Sequence, residues 1–294
     1  MWKLNFISEE DFKKHVGETI NQYGDKLMNY DLKKLNKNIL DPIKLIFDKM
    51  VYGCTWEEII KNETFRQRDK ASNNDIGYFH QKIFQYMKDC TVPKEGWDVI
   101  FKPKGGIEIA DCGKVSTIYV EMKNKHNTMN SASSAKTYIK MQHQLLEDDD
   151  CACLLVEAIA KHSQNIKWTT KVDGKNVQHR RIRRVSMDQF YSIVTGDENA
   201  FYKMCMALPD VINSVVNAEG TVVVPKDTVI EELRNVASLY ADKTENLAMA
   251  MAVYMLGFNS YLGFNKQEKE PFTGTTEGML RRIYEYAKRL NLDQ

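Results

Sequence analysis

The sequence predicts one α/β domain with helical flanks. Apolar residues at helical spacing fill both ends of the chain, and short β-rich runs broken by proline and glycine occupy the middle. A helix-forming stretch then leads into CACLLVEAIA (residues 151–160), a continuous apolar run that suits a strand buried on both faces.

Ser8, followed by Glu9, Glu10 and Asp11, opens a helix over residues 11–27, its acidic start near the positive end of the helix dipole. Asp41-Pro42 places proline in the first turn of a second helix, to about Val51, and Thr55-Trp56-Glu57-Glu58 starts a third. Over residues 74–88, Ile76, Phe79, Ile83 and Met87 recur at three to four residues and predict an amphipathic helix. Residues 97–102, 107–110 and 115–123 read as strands, separated by Pro103, Gly105-Gly106 and Cys112-Gly113. Residues 135–146 form a helix before the apolar run. Residues 168–172 and the basic stretch from Lys175 make a hairpin about Asp173-Gly174. Helices resume from Asp188, with Asp197 capping one after Gly196, and residues 221–225 (TVVVP) are at most a short strand. There is no internal repeat and no low-complexity linker. The organisation is a single domain over 1–294: a helical region 1–73, a core 74–196 and a mostly helical region 197–294.

Composition narrows the function. With 43% hydrophobic residues in 294, the chain can bury a large core. Its 41 basic and 40 acidic residues leave a net charge of +1, so nucleic-acid binding must rest on local clusters. Cys151 and Cys153 form an isolated C-x-C without a second knuckle, which favours reduced core thiols over a metal site. The start MWKLNFISEEDFKKH has no apolar signal region, and LAMAMAVYMLG (residues 247–257) is too short to span a bilayer. The expectation is a soluble, cytoplasmic protein with no membrane partner.

The chemistry concentrates in YVEMKNKHNTMN, residues 119–130. Glu121 and Lys123 flank Met122, so on a strand both charges project to one face, just as the apolar run ends. An aspartate on a neighbouring strand would complete a metal site. Mg²⁺ takes oxygen ligands and keeps several waters, so two carboxylates and a substrate phosphate oxygen suffice, and a lysine beside them can orient the nucleophile and offset transition-state charge. D…E-x-K is therefore a coherent set for phosphodiester hydrolysis, although E-x-K alone is common on solvated faces. Asp111 lies beside the turn before the E-x-K strand. The seven positions from Lys114 to Glu121 put it about 23 Å away at the ~3.3 Å rise of a strand. Asp98 is preferred if residues 103–106 are a bulge or side loop; Asp111 and then Glu108 remain the alternatives.

These residues resemble the PD-(D/E)XK nuclease core. The longer string VEMKNKHNTMNSASSAKTY, with NDIGYFHQKI, GWDVI and RRVSMDQFYSIVTG, resembles the type II restriction endonucleases that recognise GGNCC, over roughly residues 74–196. The resemblance implies a central mixed sheet flanked by helices. It also implies a Mg²⁺-dependent homodimeric endonuclease that cuts double-stranded DNA and leaves 5′-phosphate ends. Asp98 and Glu121 would bind the metal and Lys123 would assist catalysis; Trp97 stands where the family motif usually has proline.

In that frame Asn124, Lys125, His126, Asn127, Thr128 and Asn130 follow the catalytic strand as candidate DNA contacts, although Asn, Thr and Ser also cap helices. Arg180, Arg181, Arg183 and Arg184, near the second arm of the expected hairpin, are candidates for guanine or phosphate contact. His80, beside Phe79, reads as packed in the core rather than catalytic, and Met249, Met251 and Met255 as core or dimer interface. Two rival functions keep the same fold: a DNA-binding module without chemistry, and a repair nuclease without strict sequence preference.

Overall fold

A computed structural model of the chain describes residues 2–26, 29–38, 40–126, 128–219, 226–258 and 276–289. Helices α1 (Glu9–Lys26), α2 (Leu32–Asn36), α3 (Pro42–Tyr52) and α4 (Trp56–Lys82) precede strands β1 (Cys90–Thr91), β2 (Val99–Phe101), β3 (Ile107–Ile109), β4 (Gly113–Val115) and β5 (Thr117–Lys125). Helix α5 (Ser131–Glu147) leads to β6 (Cys151–Ile159), β7 (Asn165–Lys167), β8 (Thr170–Val172), β9 (Lys175–Val177) and β10 (Ile182–Ser186). Helices α6 (Met187–Thr195), α7 (Ala200–Glu219), α8 (Val229–Ala237), α9 (Glu245–Phe258) and α10 (Thr276–Arg289) follow. The contacts group the chain into two compact units, residues 1–23 with 73–221, and residues 24–72 with 222–294.

The first unit is the α/β body. Among the described residues its main sheet has six strands in the order β1-β2-β5-β6-β10-β7. Strands β5, β6 and β10 run parallel, while β1, β2 and β7 run antiparallel to their neighbours, so the sheet is mixed. Strand β6 is buried from Cys151 to Glu157, as its unbroken apolar sequence predicts. Ala152, Leu154 and Val156 pack with Phe12, Phe84 and Phe190 on one face. On the other, Cys153 and Leu155 meet Tyr138 and Met141 of α5, together with Trp168. All six cysteines are free thiols.

The second unit is helical, with Leu32, Leu35, Trp56, Leu233 and Val253 in its core. Residues 247–257 fall within α9, where Met249 and Met255 are buried. No described helix is long and apolar enough to cross a membrane. The short strand expected over residues 221–225 lies outside the described residues.

Three elements differ from expectation. The helices expected from Thr55 and from Asn74 are one, α4, which continues to Lys82 before a tighter 3₁₀ turn over Ile83–Tyr86. The start is as expected: the Thr55 hydroxyl accepts the Glu58 N–H at 3.2 Å, and the Glu58 carboxylate accepts the Thr55 N–H at 2.7 Å. The amide-rich stretch around Asn73-Asn74 does not break it. Propensity costs there are below about 1 kcal/mol per residue, and the packing of buried Asp75 and Phe79 outweighs them.

The strand expected over residues 115–123 is divided at Ser116 into β4 and β5. Residues 102–116 leave the main sheet, pair with themselves as the β3–β4 hairpin and return, so that Phe101 still faces Ile118.

The β8–β9 hairpin forms about Asp173 and Gly174, both at positive φ. The second arm starts at Lys175 as expected, but it is short. Strand β9 stops at Val177, and Arg183 and Arg184 lie on β10, where hydrogen bonding to β6 completes the parallel ladder.

Gly106 closes the side hairpin. Its φ is +74°, and a Cβ there would stand 2.7 Å from the Val115 carbonyl oxygen. Gly106→Ala is expected to lower stability by about 1–3 kcal/mol, read as a fall in the urea midpoint. An unchanged midpoint would mean that the hairpin adds nothing to the main sheet.

Candidate active site

The site forms where β2 ends against β5. The strands pair antiparallel with Val99 opposite Val120, and Asp98, just before the paired residues, is bonded to β5 on both sides of Glu121. The Asp98 N–H donates to the Val120 carbonyl at 3.0 Å, and the Met122 N–H donates to Asp98 Oδ2 at 2.6 Å. Gln81 of α4 donates to the Asp98 carbonyl at 3.3 Å. Asp111 is elsewhere, exposed at φ +62° in the turn between β3 and β4, and Glu108 is exposed on β3.

Glu121 and Lys123 share the face of β5 that carries Tyr119, the face that packs with α5. Lys123 Nζ lies 2.8 Å from Glu121 Oε1, and a second lysine, Lys140 of α5, lies 2.8 Å from Oε2. Sequence reasoning missed Lys140. The ammonium also donates to the Gly96 carbonyl at 2.5 Å and sits 4.0 Å from the centre of the Trp97 ring. Its one sequence signal is Gln144, four residues on and so on the same helical face, which accepts the Trp97 ring N–H at 3.0 Å.

The two acids are driven apart in pKa. Burial, reinforced by the Glu121 charge, pushes Asp98 above the usual aspartate value despite the Met122 N–H. Burial would raise Glu121 too, but hydrogen bonds and charge from Lys123 and Lys140 outweigh it and hold Glu121 low. Beside them opens a cavity of about 300 Å³, lined by Asn73, Tyr78, His80, Asp98, Lys123 and Asn124 among others. Burial, with neighbouring His15, pushes His80 down to about 4, so its ring is neutral at physiological pH. Among the described residues, His80 Nδ1 and Asn124 Oδ1 are buried without a partner.

The described residues contain no group of three or more His, Cys, Asp or Glu able to hold a metal ion. The Asp98–Glu121 pair nevertheless fits a hard divalent cation. Mg²⁺ needs only one or two carboxylates, and here two converge closely enough that the charge of one raises the pKa of the other.

The remaining predicted residues separate into groups. Asn124 donates to the Asn73 carbonyl at 3.3 Å, and Lys125 is exposed at the end of β5. His126 Nδ1 lies 2.9 Å from the buried Glu157 carboxylate. The Thr128 hydroxyl donates to the Lys125 carbonyl at 2.8 Å. Asn130 is the N-cap of α5, its side-chain oxygen accepting the Ser133 N–H at 2.9 Å. Asn127 lies outside the described residues.

The arginines do not form one surface. Arg184 donates to Glu157 Oε1 through Nε at 2.9 Å and to the His126 carbonyl at 3.0 Å, in the same register row as Leu155 and Glu121. Arg183 is 1% exposed and spends its donors on the Asn165 side chain and backbone, each at 2.5 Å, and on the Arg180 carbonyl. The expectation that Arg183 reads a base therefore does not match its placement: the guanidinium is inside, satisfying backbone and side-chain oxygens. Arg180 is exposed and Arg181 bonds the Asp149 carbonyl. Both precede Ile182, whose row is that of Cys153 and Tyr119, so they lie toward the opposite end of the sheet from Lys123.

A mixed sheet ending in paired carboxylates with a lysine two residues on is the architecture of a restriction-endonuclease-like nuclease. The family model described as Eco47II restriction endonuclease matches residues 4–217, and the chain belongs to this type II restriction endonuclease family. It is 28% identical over 215 residues to the type II restriction enzyme Sau96I of Staphylococcus aureus, covering 70% of this chain and 78% of that enzyme. It is 27% identical over 243 residues to the type II restriction enzyme Eco47II of Escherichia coli, covering 78% of this chain and 96% of that enzyme. The protein is accordingly a site-specific deoxyribonuclease, an enzyme class that acts on double-stranded DNA.

Two outcomes follow from this geometry. Arg183→Ala is expected to cost about 2 kcal/mol or more, because the half-buried Asn165 oxygens and the Arg180 carbonyl lose their donor and the buried side chain leaves a cavity, measured by urea denaturation; a stable variant with weakened DNA binding would reverse the assignment. Asp98→Asn should raise the thermal midpoint in metal-free buffer. With the folded pKa raised above that of an ordinary aspartate, ionised Asp98 destabilises the fold, the penalty growing as pH rises from the unfolded value through the folded one and vanishing below the unfolded one. The gain should therefore be present at pH 7 and absent near pH 3; a lower midpoint at pH 7 would contradict the direction of the shift.

Proposed function

We propose that the enzyme is a Mg²⁺-dependent type II restriction endonuclease that recognises GGNCC as a homodimer and hydrolyses phosphodiesters to leave 5′-phosphate ends. The observation that carries the reading is Asp98 held against β5 by the Val120 carbonyl and the Met122 N–H, which flank Glu121, with Lys123 on the same face as Glu121. Asp98 and Glu121 would hold the ion, which when bound polarises the scissile phosphate and lowers the pKa of a coordinated water. Lys123 donates toward the phosphate oxygens and offsets the charge that grows there in the transition state. The Met122 N–H holds the Asp98 carboxylate beside Glu121, so the two acids enter the reaction already placed.

Contacts with DNA come from the end of β5 and the segment after it: Asn124, Lys125, His126, Asn127, Thr128 and Asn130. Of these, exposed Lys125 suits a phosphate, whereas His126, Thr128 and Asn130 shape the loop through their own hydrogen bonds. Arg180 and Arg181 provide a second, separate basic contact, and Arg184 supports the loop through Glu157 and the His126 carbonyl. GGNCC is symmetric about its central base, so two copies related by a two-fold axis meet equivalent half-sites. The whole chain, residues 1–294, acts as one functional domain in the cytoplasm.

Digestion of a mapped plasmid with Mg²⁺ tests the reading: discrete fragments ending at GGNCC are expected, and a smear or fragments ending elsewhere would refute the specificity. Glu121→Ala and Lys123→Ala should each slow cleavage about a hundredfold or more, roughly 3 kcal/mol in the barrier. Near-normal turnover of either variant at saturating Mg²⁺ would remove that residue from the mechanism.

A further inference from the structure

Lys140 is tied down more completely than the neighbouring Lys123. Its ammonium reaches Glu121 Oε2 at 2.8 Å and the Gly96 carbonyl at 2.5 Å, and it lies over the Trp97 ring at 4.0 Å. Gln144 holds the same indole by its N–H, so two residues of α5 grip the two positions that lead directly into Asp98. The Trp97 ring in turn packs on Tyr119 of β5, with centroids 5.5 Å apart. One side chain thus touches both Glu121 and the backbone before Asp98. An ammonium has three protons, and here two are committed to oxygens while a π face covers the group.

We propose that Lys140 is a positioning residue of the nuclease: it fixes Glu121 against the Gly96–Trp97 segment and occupies the cation's place beside Glu121 until a divalent ion binds. The proposal rests on the reading of Asp98 and Glu121 as the ion's ligands. Two consequences oppose each other. Lys140 competes with the ion for Glu121 Oε2 and repels it, so removing the lysine strengthens ion binding. Lys140 also sets the carboxylate's direction, so removing it slows the reaction, because small misplacements of reacting groups cost large factors in rate. A side chain that merely stabilised the fold would do neither.

The experiment uses the full chain, wild type and Lys140→Met. Ca²⁺ is titrated calorimetrically into protein bound to a duplex spanning the cleavage site mapped on the plasmid. Thermal midpoints are recorded in EDTA and in Ca²⁺, and the plasmid cleavage rate at saturating Mg²⁺. Lys140→Met should bind Ca²⁺ about three- to tenfold more tightly, gain more in midpoint from Ca²⁺ than wild type does, and cleave at least tenfold more slowly with KM for DNA within twofold. Lys140→Arg, which keeps the charge, should recover part of the rate. Equal or weaker Ca²⁺ affinity, an unchanged rate, or a midpoint loss of the same size with and without Ca²⁺ overturns the proposal. Should Lys140→Met not fold, Lys140→Gln reads the same quantities, since its amide keeps a donor while the charge is removed. If wild type neither binds Ca²⁺ nor cleaves with Mg²⁺, the ligand assignment itself fails; if wild type does both and the variants match it, only the role of Lys140 fails.

Discussion

The hydrogen bond from the Met122 N–H to the Asp98 carboxylate is the contact on which the arrangement of this pole depends. Strand β5 is nine residues long and β2 only three, so β5 outruns its antiparallel partner. The named pairing stops at Val99 and Val120, and Met122 needs a partner beyond it. A backbone N–H left unmade away from water costs about 1–3 kcal/mol. Asp98 supplies the acceptor from its side chain, and the ladder is thereby extended by a carboxylate. That substitution brings the acid to Glu121. It is possible only because residues 102–116 form their own hairpin and return the chain in register, Phe101 against Ile118.

The placement is electrostatically expensive, and the surrounding lysines answer only half of it. Glu121 is held ionised by Lys123 and Lys140, one on each oxygen, whereas Asp98 has a single backbone donor and a raised pKa. These four side chains carry two negative and two positive charges, a balanced set without any ion. Under the proposed mechanism a divalent cation would unbalance it by two positive charges, and a phosphate of bound DNA, with one negative charge, would offset half of that excess. Binding of either partner thus favours the other through ordinary Coulomb attraction in a partly desolvated site. Acids that destabilise the free protein and are relieved by their ligands are a common form of the trade between stability and activity.

Much of this was readable in the sequence because it is local. Glu121 and Lys123 share a face by the two-residue period of a strand, and Thr55 with Glu58 spells out a helix start. Strand β6 is announced by an apolar run without alternation. The preference for Asp98 over Asp111 needed one tertiary inference, that the glycine pair Gly105-Gly106 belongs to a side loop, and the β3–β4 hairpin is that loop. What could not be read depends on contacts far apart in the chain. Lys140 reaches Glu121 across nineteen positions, and in sequence it is one more lysine on an amphipathic helix. Arg183 looks like the other arginines of its run, since nothing in RRIRR says which member a strand will turn inward; pairing with β6 and β7 decides it. Helix α4 was divided in expectation because the Thr55 start and the apolar spacing over residues 74–88 were read as separate local signals, and nothing local shows that one helix joins them.

The loop after β5 is held by the same parallel strands that hold the site. Glu157 of β6 is 1% exposed, and a carboxylate so buried needs partners on both sides; His126 from the end of β5 and Arg184 from β10 supply them. Arg184 bonds the His126 carbonyl as well, so the carboxyl ends of three adjacent strands close around one acid. In register, Glu121, Leu155 and Arg184 form a row, which at the ~4.8 Å spacing of neighbouring strands separates the outer two by roughly 10 Å. Sites in sheets of this kind gather at the carboxyl ends of parallel strands because loops leaving them diverge from a rigid base. Here the base is electrostatic as well as hydrogen-bonded. Under the proposed function, a DNA contact made from the His126 loop and the phosphate chemistry at Glu121 would share one support, and the distance between the contact and the bond cut would be set by the strands rather than by the loop.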